Sequence, residues 1–178
     1  MKRISALAGV FAAMAASPAM AHDQEQLDCI VRATPMEVRG GLVDATLLEG
    51  TGENLADDAR VEQFYDAAMA CIDEIGIDPA RQIAYLTYAE ARVFQVEMAA
   101  RLAGRGISTA VIDQALDYGP GLTNPVIDMP TDGQTEAVAM SLLLDGVDVD
   151  ALPQEVWEDI GTYLAATSAT YVLLGELE

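Results

Sequence analysis

"IGTYLAATSATYVLLG", residues 160–175, runs for sixteen residues without a charge and offers only apolar or small groups in every direction. A helix of that kind belongs in the centre of a bundle, because no face of it asks for water. As a membrane span it falls short of the ~20 apolar residues that a bilayer core requires. It also carries Thr162, Thr167, Ser168 and Thr170. The stretch therefore predicts a buried C-terminal helix, opened by Pro153 and running to about Leu174, with the rest of the chain wrapped around it.

Outward from this helix, start and stop signals divide the chain into further helices. Residues 24–32 form a first segment with Leu27, Ile30 and Val31 as its apolar positions. "TPME" (34–37) reads as a capping box, with Thr34 as N-cap, Pro35 at the first helical position and Glu37 at the third, opening a helix to about Glu49. Gly40 and Gly41 inside it cost helix propensity and suggest a close approach of another element. "GTGEN" (50–54) is a turn, and Asn54 caps a helix that Gly76 stops. In that helix Val61, Phe64/Tyr65, Ala68, Cys71/Ile72 and Ile75 recur at the spacing of one buried face. "DPAR" (78–81) starts a long helix ended by Gly104 and Gly106. Ser108 begins a shorter one that reaches Tyr118. "GPGLTNPVIDMPT" (119–131) is the longest irregular stretch, and Thr131 or Asp132 opens a helix to about Asp145. No period-two alternation and no repeat interrupts this pattern. The expected fold is all-α, a single helical bundle of about six or seven helices with one disulfide.

At the other end, Lys2-Arg3, an uncharged run to Ala16, Pro18 and the small triplet Ala19-Met20-Ala21 have the layout of a secretory signal peptide cleaved after Ala21. The expected domain is then residues 22–178, in the periplasm or secreted. In an oxidising compartment Cys29 and Cys71 pair, closing a loop of about 43 residues worth roughly 4 kcal/mol in loop-closure entropy. A redox or nucleophilic thiol would want a C-x-x-C partner or a nearby histidine, and the sequence has neither. Beyond Ala21 seven arginines face 29 Asp and Glu, a net charge of −22, and no lysine remains. Nucleic acid and anionic membrane surfaces are repelled by such a chain. A cationic protein partner or a divalent cation is not.

Chemistry is sparse. The single histidine, His22, would be the first residue after cleavage, poorly placed to orient a buried catalytic triad. Alone, it also lacks the second imidazole or sulfur of a stable copper site. Without lysine there is no Schiff base, and no phosphate loop, G-x-S-x-G or H-E-x-x-H is present. One histidine cannot supply the two Glu-x-x-His pairs of a di-iron bundle. No cofactor is implied.

Carboxylates are what remain. Glu90 and Glu97 lie seven residues apart on nearly one helix face, among Ile83, Leu86, Val93 and Phe94. Glu97 has Arg101 four residues on, in the favourable order for an ion pair. Glu90 has apolar neighbours at those spacings, which would suit a general acid or base. Against this stands a structural role, with Arg32, Arg39 or Arg60 pairing Glu90 from another helix. Asp145, Asp148 and Asp150 in "DGVDVD" offer oxygen ligands for calcium, though the EF-hand pattern is not met and such residues more often cap helix ends. Tyr85, Tyr88, Phe94 and Trp157 could line an apolar groove or fill the core.

The sequence thus points first to an exported acidic helical protein that acts by binding another protein, as an inhibitor or immunity-like, chaperone-like or assembly partner. A carboxylate-based hydrolase with Glu90 in a cleft beside residues 119–131 is the second expectation, and a calcium-stabilised helical module the third.

Overall fold

The computed structural model describes residues 24–49, 59–127 and 130–177. Eight α-helices follow one another: α1 Gln24–Leu27, α2 Cys29–Ala33, α3 Met36–Glu49, α4 Ala59–Ile75, α5 Gln82–Gly104, α6 Thr109–Ala115, α7 Asp132–Leu144 and α8 Gln154–Leu177. Short 3-10 turns at Pro79–Arg81 and Val149–Ala151 precede α5 and α8. The described residues contain no strand, so the fold is an all-α bundle. None of these helices is long and apolar enough to cross a membrane.

The two longest helices, α5 and α8, make the most extensive pairing in the molecule. They run antiparallel, as three ties along their length show. Arg81 Nη1, just before α5, donates to Leu177 O at 2.7 Å. Midway, Gln95 Nε2 donates to Thr167 Oγ1 at 3.0 Å. Just beyond the end of α5, Arg105 Nη1 lies 2.9 Å from Asp159 Oδ2, an ion-pair distance outside hydrogen-bond alignment.

Each half of this spine serves a different apolar core. The N-terminal half of α5 (Tyr85, Tyr88, Ala89, Val93) and Leu177 join α1, α2 and α4 through Leu27, Ile30, Phe64, Ala68 and Ile72. The C-terminal half of α5 (Met98, Leu102) and the first half of α8 (Ile160, Tyr163, Leu164) join α6 and α7 through Ile112, Val138 and Leu142. Between the cores lies a polar belt, Gln95, Thr167, Ser168 and Thr170, all buried. Its members are satisfied, as buried polar groups must be. Thr167 accepts from Gln95, Ser168 Oγ accepts from Ile127 N at 2.7 Å, and Thr170 Oγ1 donates to Ala166 O at 2.8 Å. The expected central, wholly buried α8 is met in part: ten of its 24 residues are buried, α5 is the helix that packs against most other elements, and Ala165 and Val172 on one side of α8 reach solvent.

The N-terminal segment is held covalently and by charge. Cys29 of α2 and Cys71 of α4 form a disulfide whose residues are both buried. The expected single helix over 24–32 breaks at Asp28, whose carboxylate turns to α5. Arg92 Nε and Nη2 grip it in a bidentate pair, both at 2.7 Å, and Tyr88 Oη donates to it at 3.0 Å. Counting α1 and α2 as one segment gives seven helical segments, within the expected number.

Several local expectations are corrected. The capping box at Thr34 is not formed: α3 begins at Met36, and the Pro35 carbonyl accepts from Val38 N and Arg39 N. Thr34 is instead buried at the end of α2, with its hydroxyl unpartnered. Arg39 Nη1 takes the Thr34 carbonyl at 3.0 Å, so the residue is turned to serve the arginine. A complete capping box is built by Thr131 and Gln134 at the start of α7. The space left by Gly41 is filled by an arginine side chain rather than a helix backbone. Arg60 Nη1 donates to Gly41 O at 3.0 Å, and a Cβ at Gly41 would lie 2.5 Å from that nitrogen. Helix α6 ends at Ala115, before Tyr118, because Asp117 adopts φ 59°. Gly76 and Gly106, both at φ 78°, close α4 and α5 as expected. The cleavage site, His22 and the Asn54 cap lie outside the described residues.

Two stability tests follow from this arrangement. Thr34→Val keeps the shape and removes a buried hydroxyl with no partner, so the urea midpoint should move up and the unfolding free energy should rise by on the order of 1 kcal/mol. A fall would mean that the hydroxyl has a partner in solution. Replacing Cys29 and Cys71 together by alanine should lower stability by roughly 4 kcal/mol, read in the same titration.

Candidate functional site

The outer row of α8 runs Glu158, Thr162, Ala165, Ala169, Val172 and Glu176, spaced four and three residues apart on one face. Its middle has no large side chain until Val172. Beside it, α5 presents Ile83, Thr87, Glu90 and Phe94 at the same spacing, with Ile83 79 % exposed. A groove of about 340 Å³ runs between these rows, floored by Ala165, Ala166 and Ala169, with Thr46 of α3 at its edge. It continues into a cavity of about 130 Å³ between α3, α4 and α5, walled by Leu42, Val61, Phe64, Tyr65 and Val93. Thr46, Glu90 and Phe94 line both spaces, so the two adjoin, and together they make up a trough in two parts. Glu90 is the one charged residue among its described lining.

Glu90 is exposed, and among the described residues no arginine reaches it. The three arginines expected to pair it are used elsewhere. Arg32 donates to Glu25 O at 2.9 Å, Arg60 holds Gly41 O, and Arg39 Nε meets Glu97 Oε1 at 2.9 Å. Glu97, not Glu90, is the buried carboxylate of α5. The difference arises because α3 crosses at Glu97, where Gly40 leaves room beside Oε2. The expected Glu97–Arg101 pair is not made; Arg101 Nη2 reaches Asp44 Oδ1 of α3 at 2.6 Å.

The loop after α6 does not share a cleft with Glu90. Asp117 Oδ2 accepts from Thr123 N, and Asn124, at φ 45°, bonds the backbone of Gly119 in both directions. Ile127 N on Ser168 and a stacked Tyr118–Tyr171 pair fix the loop to α8. Tyr171 lies on the far side of α8 from Thr162 and Ala169, and Ser168 lies about a quarter-turn round from that row, given 3.6 residues per turn. No described loop residue lines the trough.

Asp145, Asp148 and Asp150 are all exposed, and each lies at a helix end or turn: Asp145 after α7, Asp148 before the 3-10 turn, Asp150 within it. Among the described residues no three His, Cys, Asp or Glu side chains are grouped to hold a metal ion. The aromatic set divides. Tyr85 and Tyr88 are fully buried in the first core, Phe94 lines the trough, and Trp157 lines a separate space of about 180 Å³ between α7 and α8.

Sequence reasoning missed two groups. The small residues of α8 that floor the groove were read as core; their lack of bulk on one row was the available signal. Asp113 was also missed. It is half-buried, accepts from Tyr163 Oη at 2.8 Å, and burial pushes its carboxyl above the usual carboxylate range. Burial and the Asp113 charge in turn push the Tyr163 phenol up.

No family model, curated protein or solved structure matches this chain. The trough is accordingly read from its own chemistry.

A carboxyl whose folded-state pKa is raised stabilises most when protonated, below about pH 4, and that contribution is lost as pH climbs through the raised value. Asp113→Asn keeps an acceptor for Tyr163 and removes the charge. The variant's melting temperature should therefore exceed the wild type's at neutral pH, with the gap closing towards pH 4. A gap independent of pH would show that Asp113 titrates as an ordinary carboxylate.

Proposed function

We propose that this chain is an exported acidic protein that acts by binding another protein through the trough between α3, α4, α5 and α8. The observation that carries this reading is an apolar surface channel in which, among the described residues, Glu90 is the lone carboxylate and no cation pairs with it. A concave, mostly apolar hollow with a single charged group has the form of a binding site. A non-catalytic role fits the described residues, where Glu90 faces no second carboxylate across a cleft.

The arginines strengthen the electrostatic side. All seven that follow residue 21 make contacts within the chain. Arg32, Arg60 and Arg81 hold backbone carbonyls, and Arg39, Arg92, Arg101 and Arg105 meet Glu97, Asp28, Asp44 and Asp159. Most of the Asp and Glu among the described residues are left facing solvent without a cation, which favours a basic partner and speeds its approach. The buried disulfide suits the oxidising compartment to which a signal peptide over residues 1–21 would deliver the protein, the periplasm or the exterior.

The test is affinity capture with residues 22–178 from the native envelope extract, beside an Ala165→Trp bait whose groove is filled. The wild-type bait should retain one near-stoichiometric protein that leaves as salt rises from about 50 to about 500 mM, shrinking the Debye length. The filled bait should retain little of it. Equal retention by both baits, or an empty wild-type bait, would overturn the reading.

A further inference from the structure

We infer that the trough takes a cationic amphipathic α-helix of the partner, which sets one apolar side chain into the cavity and a lysine or arginine against Glu90. This inference rests on the protein-binding reading above and specifies the partner's chemistry.

Shape, size and charge each point the same way. The groove lies between two antiparallel helices, and a third helix is the body that fills such a hollow by ridges into grooves at an interaxial distance of about 8–10 Å. The four-three spacing along Glu158, Thr162, Ala165, Ala169, Val172 and Glu176 is that of a helix–helix seam, and its small central residues permit close approach. The adjoining cavity, about 130 Å³ and walled by Phe64, Val61, Leu42 and Val93, matches one branched or aromatic side chain. An apolar cavity of roughly 150 Å³ is known to hold a benzene-sized guest. Helix-in-groove recognition works through such anchors at i, i+3, i+4 and i+7.

Charge selects among occupants. Glu90 is the lone charged residue of the described lining, and Glu158 and Glu176, at the two ends of the α8 row, are exposed. A second copy of this chain would bring another net charge of −20 to the same surface. A basic helix places cations where three carboxylates stand, and its apolar face covers the alanine floor.

The test uses a fluorescent synthetic helix of about 18 residues with leucines on one face and lysines flanking them, and a scrambled peptide of identical composition without an apolar face. Each is titrated with residues 22–178 at low salt and followed by anisotropy. The amphipathic peptide should bind at least about tenfold more tightly than the scrambled one. Glu90→Lys and Ala165→Trp should each weaken it by about tenfold or more, whereas Glu136→Lys, the same charge change on an exposed residue of α7, should alter it less than about twofold. Circular dichroism confirms that each variant is folded. Equal binding of the two peptides, or equal loss in Glu90→Lys and Glu136→Lys, reduces the effect to bulk charge and overturns the inference. A dimer of residues 22–178 that Ala165→Trp converts to monomer would name a second copy as the occupant and also overturn it. If the peptide fails to bind while the extract partner is captured and lost in Ala165→Trp, the helical partner is wrong and the protein-binding reading stands.

Discussion

The rest of the structure depends on the antiparallel embrace of α5 and α8, and above all on how its middle is satisfied. A spine that passes through two separate apolar cores must cross the gap between them, and there it buries polar groups. Gln95 meets Thr167 at that point, while Arg92 links Gln95 onward to Asp28. One continuous chain of hydrogen bonds thus joins the N-terminal segment, α5 and α8. The neutral Gln95–Thr167 bond contributes about 1 kcal/mol and those made by the Arg92 guanidinium somewhat more. Their larger role is register, since sliding α8 by one residue along α5 would break the buried bond from Gln95 Nε2 to Thr167 Oγ1.

Charge economy shapes the same molecule. A chain with so few cations spends them on closure: three arginines hold backbone carbonyls at helix ends or crossings, and four anchor carboxylates on neighbouring elements. Arg39 alone reaches Glu97 and the carbonyl of Thr34, fastening α3 to both α5 and α2. The outer surface is left to the carboxylates as a consequence. Its anionic character follows from where the arginines go as well as from composition.

Most of the fold was legible because it rests on local signals. The charge-free stretch 160–175 announced a long, largely apolar helix, Gly76 and Gly106 marked real ends, and the two cysteines lay on faces that meet. What failed was whatever depended on a crossing element. Thr34 carries every residue of a capping box, yet its carbonyl is claimed by Arg39 and its hydroxyl is turned inward. Glu90 and Glu97 share a helix face in projection, and only the passage of α3 decides that one is buried and the other open. The trough was half legible: Glu90 and Phe94 were singled out, whereas Ala165 and Ala169 looked like filler because small residues serve equally in a core or beneath a visitor.

The disulfide lies wholly within the first of the two cores. Its closure shortens the excursions of α2 against α4 and does nothing directly for α6, α7 or the loop that follows α6. Opening in a native molecule is regional, with free energies that differ between cooperative units. The half built on Met98, Ile112 and Leu142 has no covalent tie and is held by packing together with the Tyr163–Asp113 bond and the Arg105–Asp159 pair. The groove runs along the spine that both halves share. A visitor seated on it would splint the uncross-linked half to the cross-linked one.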